Sequence, residues 1–432
     1  MGLGALDAPA WERHFAAFAP LERNLESPLA LRYHGHQFGV YNAALGDGRG
    51  FLFAQLRDDT GRLLDLGTKG SGQTPWSRGG DGRLTLKGGV REVLATEMLE
   101  ALGVSTSKSF SLFETGEKLM RGDEPSPTRS SVLVRLGHSH IRFGTFQRLS
   151  HASDSARVSR LLAHVVEHYM PELAVSEADM PAAFLRAVTR KSAQLCASWT
   201  VAGFVHGVLN TDNMNVNGES FDYGPWRFLP KYDPEFVAAY FDHTGLYAFG
   251  KQPSAVLWNL SRLAECLRLV SSTIPVGAIT DDFEPAFDAA VQAKLVARLG
   301  LRPLGADIDA SLVDRVFAYL EESGVGFDRF FFDWYGGFAS EKRAVESPAT
   351  RAYRGDRFAG LLELFELYTP VDATKLAHPY FQRVSPCSLL VDEVEQIWAR
   401  IGGADDWSAF DAKVESIREM GAVLGHETRA TA

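Results

Sequence analysis

Short apolar runs separated by glycine-containing segments dominate the first third of the chain. Residues 51–56, 63–66 and 131–136 combine Leu, Val and Phe with few polar positions and are bounded by turn-forming residues, as is typical of β-strands. Residues 90–102 differ, because their apolar side chains recur at helical spacing, which predicts a helix. Gly103 directly follows this segment and is a candidate C-cap.

Beyond about residue 150 the apolar positions take helical spacing throughout. Ser153 and Ser155 are candidate N-caps of a first helix, and a second helix is predicted from residue 182 to about 204. The other predicted elements are helices near residues 254–270, 284–299, 308–322 and 389–402 and a loop at residues 280–285. The pattern therefore predicts an α+β protein with a β-rich N-terminal lobe, residues 1–150, and a helical C-terminal lobe, residues 151–432.

Composition narrows the class of protein. The 432 residues are 45% hydrophobic and 11% aromatic, which excludes wholesale disorder, collagen and coiled coil. With 44 basic and 54 acidic residues the net charge is −10, so a general nucleic-acid coat is not expected. The three cysteines are too few for a disulfide framework, and no apolar run is long enough for a membrane span. We expect a cytoplasmic protein without nucleic-acid or membrane partners.

The segment 206–215 and the Asp-Tyr-Gly sequence at 222–224 carry the strongest chemical pattern. In a protein kinase, H-R-D-L-x-x-x-N is followed by D-F-G, and here the histidine, leucine and asparagine positions keep that spacing. The loop aspartate is absent, and Asp212 supplies a carboxylate four positions later. Asn213 and Asp222 have the oxygen donors that Mg²⁺ prefers, and Asp212 could accept a proton from a hydroxyl. The alternative interpretation is a polar turn.

Three further patterns are compatible with phosphate binding. Lys69 ends a predicted strand and Glu92 lies in the following helix, as in kinases where such a pair orients phosphates; the alternative is two solvated surface charges. The turn at residues 46–49 combines glycines with an arginine, but such turns also join ordinary hairpins. Arg135 and Arg142 could converge on a polyphosphate, although their spacing alone favours two separate surface arginines.

Two other groups of residues are interpreted as structural. The His-x-His pairs at residues 34–36 and 138–140 have the spacing of metal ligands, but hydrogen-bonded structural histidines are favoured because no cysteine or third histidine is near. The aromatic cluster at residues 330–335 is predicted to belong to the core, since a base-stacking surface needs more basic neighbours.

Together these segments resemble the selenoprotein O family of kinase-fold protein adenylyltransferases. The matching stretches are residues 35–39, 45–49, 65–78, 81–83, 91–94, 135–146, 207–215 and 222–225. The resemblance is strong from about residue 30 to about residue 270. It departs from many family members at the tail, because residues 425–432 contain no cysteine or selenocysteine, and redox control through a terminal motif is therefore not expected.

The resemblance implies a two-lobed protein-kinase-like fold that binds ATP in an inverted orientation. AMP would pass to a protein Ser, Thr or Tyr hydroxyl with Mg²⁺ or Mn²⁺ as cofactor, and pyrophosphate would leave. The implied roles are nucleotide contacts by Gly46, Gly48, Arg49, Asp81 and Gly82, phosphate contacts by Lys69, Arg135 and Arg142, pairing of Glu92 with Lys69, metal ligation by Asn213 and Asp222 (which also contacts the nucleotide), and general base catalysis by Asp212. The alternatives are a phosphotransferase and a non-catalytic nucleotide-binding scaffold.

Overall fold

An antiparallel sheet organises the N-terminal third of the molecule, and helices form most of the remainder. The structure is a computed structural model that describes residues 3–46, 50–122, 124–173, 175–274 and 276–426. The strands are β1 Leu29–Ala30, β2 Gly35–Gln37, β3 Val40–Asn42, β4 Gly50–Arg57, β5 Leu63–Lys69, β6 Leu84–Thr85, β7 Lys108–Leu119, β8 Thr128–Gly137, β9 Phe204–Val205 and β10 Arg227–Phe228. The helices of the N-terminal half are α1 Ala8–Trp11, α2 Leu86–Ala101, α3 Phe143–His151, α4 Ser155–Tyr169 and α5 Met180–Ala202. Those that follow are α6 Gln252–Leu267, α7 Ala278–Arg298, α8 Ala306–Ser323, α9 Phe327–Asp333, α10 Glu341–Glu346, α11 Asp356–Leu367, α12 Val391–Ala404 and α13 Ser408–Leu424.

The main sheet has the order β1-β4-β5-β8-β6, with β7 also paired to β8. The three predicted strands are confirmed as β4, β5 and β8. One face of the sheet packs on a small core that includes Phe15, Phe53, Leu66 and Val134. Because side chains alternate along a strand, the opposite face of β5 carries its remaining residues, among them Lys69. The core therefore fixes which face of the sheet is left for polar chemistry.

Helix α2 crosses this polar face and belongs to the largest core cluster. It begins earlier than predicted, because Thr85 is its N-cap and the Oγ1 atom accepts a hydrogen bond from the Gly88 amide at 3.0 Å. Leu94 and Met98, one turn apart, are fully buried. The C-cap is Leu102 rather than the predicted Gly103, which follows it with a left-handed φ of +72°.

The C-terminal helices α12 and α13 pack against the outer side of α2. The Lys87 ammonium donates to Glu395 Oε2 at 2.7 Å, and the Arg418 guanidinium donates to Glu97 Oε1 at 2.6 Å. A Cβ at Gly421 would lie 3.0 Å from that of Ala101, so the two helices approach closely at this point. Residues 391–424 thus support the helix α2 from its outer side.

Two predictions about the helical part are wrong in detail. The N-cap of α4 is Asp154 rather than Ser153 or Ser155, because its carboxylate accepts from the Arg157 amide at 2.9 Å. The predicted loop at residues 280–285 lies within α7. Ile279 and Phe283 are both buried one turn apart, and this packing outweighs the missing amide donor of the proline in that segment.

The other interpretations of buried residues hold. Phe330, Phe331, Phe332, Trp334 and Tyr335 are at most 6% exposed, so the aromatic cluster is core as predicted. All three cysteines are buried and unpaired. Within the described ranges, no helix combines the length and apolar character needed to cross a bilayer.

The cap of α2 provides a test of this fold. Replacing Thr85 by Ala removes the acceptor for the Gly88 amide, and we expect the free energy of unfolding to fall by about 1 kcal/mol. Thr85→Ser keeps the hydroxyl and should lose much less. Denaturant unfolding of both variants measures the difference, and equal losses would contradict the cap.

Candidate active site

Four charged side chains meet on the polar face of the sheet. The antiparallel register places Gly67 of β5 opposite Arg135 of β8, so Arg135 lies on the same face as Lys69, two residues beyond Gly67. Glu92 extends from α2 towards the sheet, and Asp222 lies in the loop that follows β9. Two strands, one helix and one loop therefore each contribute to a single cluster.

The contacts close into a ring of alternating charges, here called the charge ring. Lys69 Nζ donates to Glu92 Oε1 and, at 2.7 Å, to Asp222 Oδ1. Arg135 Nη2 donates at 2.8 Å to the same two oxygens. Each carboxylate thus bridges both cations, which confirms that Lys69 and Glu92 meet and adds two partners that their spacing did not reveal.

The charge ring is largely removed from solvent. The Glu92 side chain is 1% exposed and that of Arg135 is 8% exposed. Burial lowers the pKa of Arg135, but the charges of Glu92 and Asp222 outweigh burial and hold this pKa above its ordinary value. Arg135 therefore stays charged. Glu92 Oε2 and Arg135 Nε are buried and form no hydrogen bond among the described residues, so the ring retains capacity for another polar group.

Arg142 extends this group of cations. It is 4% exposed, its Nη1 lies 3.6 Å from Asp222 Oδ2, and the same atom donates to the Asp212 carbonyl at 2.9 Å. Its guanidinium lies over the rings of Tyr33 and Phe221, at 4.3 and 4.6 Å from their centres. Arg135 and Arg142 converge on one carboxylate, so the interpretation as separate surface arginines is wrong.

The Asp-Tyr-Gly segment is held in an uncommon conformation. Asp222 has a φ of +66°, a left-handed geometry that Asp tolerates better than most residues. Next to it, the Tyr223 hydroxyl bonds the Thr106 hydroxyl at 2.5 Å. Arg91, one residue before Glu92, donates from Nη2 to the carbonyls of Gly224 and Trp226, each at 3.2 Å. The sequence analysis gives Arg91 no role, although the residue belongs to the matching stretch 91–94.

The β2–β3 hairpin holds the loop that follows β9 through hydrogen bonds to residues 210 and 211. The His36 amide donates to Thr211 Oγ1 at 2.7 Å, and the Phe38 amide donates to Asn210 Oδ1 at 3.1 Å. Phe38 adopts a left-handed φ of +49° at the hairpin turn. The Thr211 hydroxyl in turn donates to Gln147 Oε1 at 2.6 Å. These bonds set the position of the two residues that follow.

Asp212 and Asn213 occupy a short 3₁₀ turn and do not line the cleft. Asp212 is 1% exposed, and a Cβ at Gly35 would lie 2.9 Å from its Oδ1. Asn213 donates from Nδ2 to the Val208 carbonyl at 2.9 Å. The predicted general base therefore lies next to Arg142, which bonds its carbonyl, and is covered by Gly35 of the β2–β3 hairpin.

A cleft of about 550 Å³ opens in front of the charge ring. Asp81 and Gly82 lie on its wall, as the resemblance implies. Gly46 lies behind Tyr33, and a Cβ there would come within 1.8 Å of the Tyr33 carbonyl, so only glycine fits. Gly48 and Arg49 fall outside the described residues.

The charge of the cleft is opposite to that of the protein. The basic residues among those described on its wall are Lys69, Arg83, Lys87, Arg91, Arg121, Arg135, Arg142 and Arg227. The acidic ones are Asp81, Glu92, Glu124, Asp222 and Glu395. Because the whole chain carries a net charge of −10, this local positive excess indicates an anionic ligand.

Asn213 and Asp222 offer the donor types of a divalent-cation site that a substrate completes, although of the two only Asp222 lines the cleft. In the described part of the chain, no group of three or more His, Cys, Asp and Glu side chains could enclose a metal. Asn213 Oδ1, however, is buried and forms no hydrogen bond to any described residue, and Asp222 supplies a carboxylate nearby in the chain. One or two protein oxygens with phosphate oxygens and water are the usual environment of Mg²⁺.

The four histidines of the His-x-His pairs form hydrogen bonds, as predicted. His34 Nδ1 contacts the Tyr41 hydroxyl at 2.7 Å, and His36 Nδ1 accepts from the Gln147 amide at 2.7 Å. His138 bonds Glu219 and His140 bonds Asp65. Of the four, only His140 lines the cleft.

Comparison with known proteins gives one family. The family model described as protein adenylyltransferase SelO matches residues 4–418. A protein nucleotidyltransferase YdiU of Synechocystis sp. is 45% identical over 406 residues, which cover 90% of this chain and 84% of that protein. The YdiU of Gloeobacter violaceus is 43% identical over 432 residues (98% and 88%), and that of Myxococcus xanthus is 37% identical over 389 residues (89% and 78%).

The charge ring makes a prediction about stability. Glu92→Gln removes a buried carboxylate that two cations share, and we expect the free energy of unfolding to fall by about 3 kcal/mol. Glu97→Gln, on the same helix, breaks an ion pair whose arginine is 54% exposed and should cost less than about 1 kcal/mol. Denaturant unfolding compares the two, and similar losses would show that the ring is not a stabilising unit.

Proposed function

Because this chain belongs to the SelO family of protein adenylyltransferases, we propose that its cleft binds ATP and transfers AMP to Ser, Thr or Tyr hydroxyls of proteins. Family membership and the protein nucleotidyltransferases at 37–45% identity make it an enzyme of the nucleotidyltransferase class. The observation that carries the proposal is the convergence of Lys69, Arg135 and Arg142 around Asp222. Three cations in one buried group suit a leaving pyrophosphate better than a single transferred phosphoryl group.

We further propose that the molecule has the two-lobed architecture of a protein kinase, divided at about residue 150. The sheet with α2 forms the first lobe, and the helical part forms the second. The ion pair between a strand lysine and a helix glutamate supports this assignment, since the same pair orients phosphates in kinases. The Asp-Tyr-Gly segment after β9 supports it independently.

Different residues of the cleft contact different parts of the nucleotide. Lys69, Arg135 and Arg142 bind the outer phosphates, so an inverted ATP presents its α-phosphorus where a kinase presents the γ-phosphorus. Asp81 and Gly82 contact the nucleotide, and we assign Gly46, Gly48 and Arg49 to it as well. The cations also oppose the negative charge that develops on the departing pyrophosphate, where such stabilisation accelerates the reaction most.

Asn213 and Asp222 are the residues that would hold Mg²⁺ or Mn²⁺. The metal, when bound, neutralises phosphate charge. Asp222 also orients Lys69 and Arg135 through Oδ1, so it serves both the metal and the cations. Its left-handed backbone directs the carboxylate into this position.

Asp212 is our proposed general base. The acceptor hydroxyl oxygen attacks the α-phosphorus, the bond to the bridging oxygen of pyrophosphate breaks, and the hydroxyl proton passes to the Asp212 carboxylate. Since Asp212 is 1% exposed, its carboxylate has to become accessible when the protein substrate binds. The β2–β3 hairpin, which covers it through Gly35, is the element that has to yield.

Label transfer tests the reaction directly. The protein is incubated with Mg²⁺ or Mn²⁺, a cell lysate and ATP labelled on either the α- or the γ-phosphate. We expect covalent protein label from the α-phosphate alone. Label from the γ-phosphate alone would indicate a phosphotransferase, and label from neither, with no thermal shift on adding ATP, would reject nucleotide chemistry.

Removal of the metal carboxylate should abolish transfer. We expect Asp222→Asn to reduce α-label incorporation at least about a hundredfold, because it weakens both metal binding and cation placement. Asp282→Asn, which breaks an exposed ion pair with Arg190, is the control and should retain full incorporation. Circular dichroism checks that both variants fold, and normal labelling by a folded Asp222→Asn protein would refute the assignment.

A further inference from the structure

His140 lies on the floor of the cleft, among the cations. A Cβ added at Gly67 would lie 1.9 Å from His140 Nε2, so the imidazole occupies the space that a side chain on β5 would fill. Gly67, His140, Lys69 and Arg135 all line the cleft. The glycine is therefore what allows the imidazole to reach the polar face of the sheet.

Asp65 fixes the orientation of this imidazole. The Asp65 Oδ2 atom accepts from the His140 amide at 3.0 Å and from Nδ1 at 3.2 Å, and Gln55 Nε2 donates to Oδ1 at 2.8 Å. Burial raises the pKa of Asp65, but the bonds from His140 and Gln55 outweigh it and hold the pKa below its usual value. Because the ionised carboxylate only accepts, Nδ1 donates to it. The other ring nitrogen, Nε2, lies against Gly67 on the wall of the cleft.

We propose that His140 is a further phosphate-binding residue, whose Nε2 edge donates to the outer phosphates of ATP and to pyrophosphate, with Asp65 as its positioning residue. The inference rests on the proposed function and assigns a fourth donor to the phosphate site. The imidazolium form is the one that donates from Nε2. Among the described residues, His140 borders the cleft together with Lys69, Arg135 and Arg142, and it borders a smaller cavity together with Glu219. Asp65, its hydrogen-bond partner, also interacts with Tyr169 and His164 of α4.

His138 provides a matched control. It lies two residues from His140, bonds a carboxylate of its own, Glu219, and is 33% exposed. It is absent from the described wall of the cleft. Substitutions at 138 and 140 therefore remove the same ring and the same type of hydrogen bond to a carboxylate from adjacent sites, but only one of them removes a group from the phosphate site.

Calorimetry separates a phosphate contact from a purely structural role. The probes are pyrophosphate, α,β-methylene-ATP and adenosine, each with Mg²⁺. We expect His140→Ala to weaken the binding of pyrophosphate and of α,β-methylene-ATP by about tenfold, as for loss of one charge-assisted hydrogen bond. Adenosine binding should be unchanged. His140→Gln, which keeps an amide donor, should recover part of the loss, and Asp65→Asn should weaken pyrophosphate less than His140→Ala does. His138→Ala should change nothing.

Several outcomes would overturn the inference. Equal weakening of adenosine and pyrophosphate, or equal effects at positions 138 and 140, would assign His140 a structural role. If His140→Ala does not fold, His140→Gln carries the same comparison. If the unmodified protein neither binds α,β-methylene-ATP nor incorporates α-label, the proposed function itself is rejected. If it binds normally and substitution of His140 does not change phosphate binding, only this inference is rejected.

Discussion

The shared carboxylates of the charge ring are the interaction on which the rest of the site depends. Glu92 and Asp222 each bridge Lys69 and Arg135, and Asp222 also lies 3.6 Å from Arg142. Because isolated charges are costly to bury, the four chain segments that bear them are stable only when they meet. The strand, the helix and the Asp-Tyr-Gly loop are thus placed relative to one another by electrostatics as well as by apolar packing. A polyanion entering the cleft competes for the same cations, so ligand binding and the internal structure of the site are coupled.

Those parts of the site that depend on residues close together in the chain could be predicted from the sequence. The strand that ends at Lys69, the helix with Glu92 and the Asp-Tyr-Gly segment were accessible because their periodicity and motif distances are local. The convergence of Arg135 and Arg142 was not, since it depends on how β8 turns into α3 and on a loop some eighty residues later in the chain. Arg91 was missed for the same reason, because its two carbonyl partners lie on that distant loop.

In the fold, too, local patterns could be predicted and features that depend on tertiary contacts could not. Strand β7 escaped prediction because its second half is polar and exposed, and an edge strand of this kind lacks the alternation that identifies a buried one. At the start of α7, the acidic residues and the proline are typical of turns, so the local pattern predicts a loop there. Burial of Ile279 and Phe283 decided the outcome, and such tertiary contacts are invisible to local pattern. In the β2–β3 hairpin, the left-handed Phe38 is likewise tolerated because its amide bonds Asn210 and its ring packs against Phe241 and Tyr247.

The packing of α12 and α13 on α2 has a consequence for the order of events during synthesis. The ion pair between Glu97 and Arg418 joins residues 321 positions apart, and that between Lys87 and Glu395 joins residues 308 positions apart. Contacts of such long range form late, because the closure of long loops precedes any energetic gain. On the ribosome, the sheet and α2 emerge long before the helices that cover them. The helix that presents Glu92 thus acquires its outer support only after residues 391–424 have been synthesised, long after all four members of the charge ring.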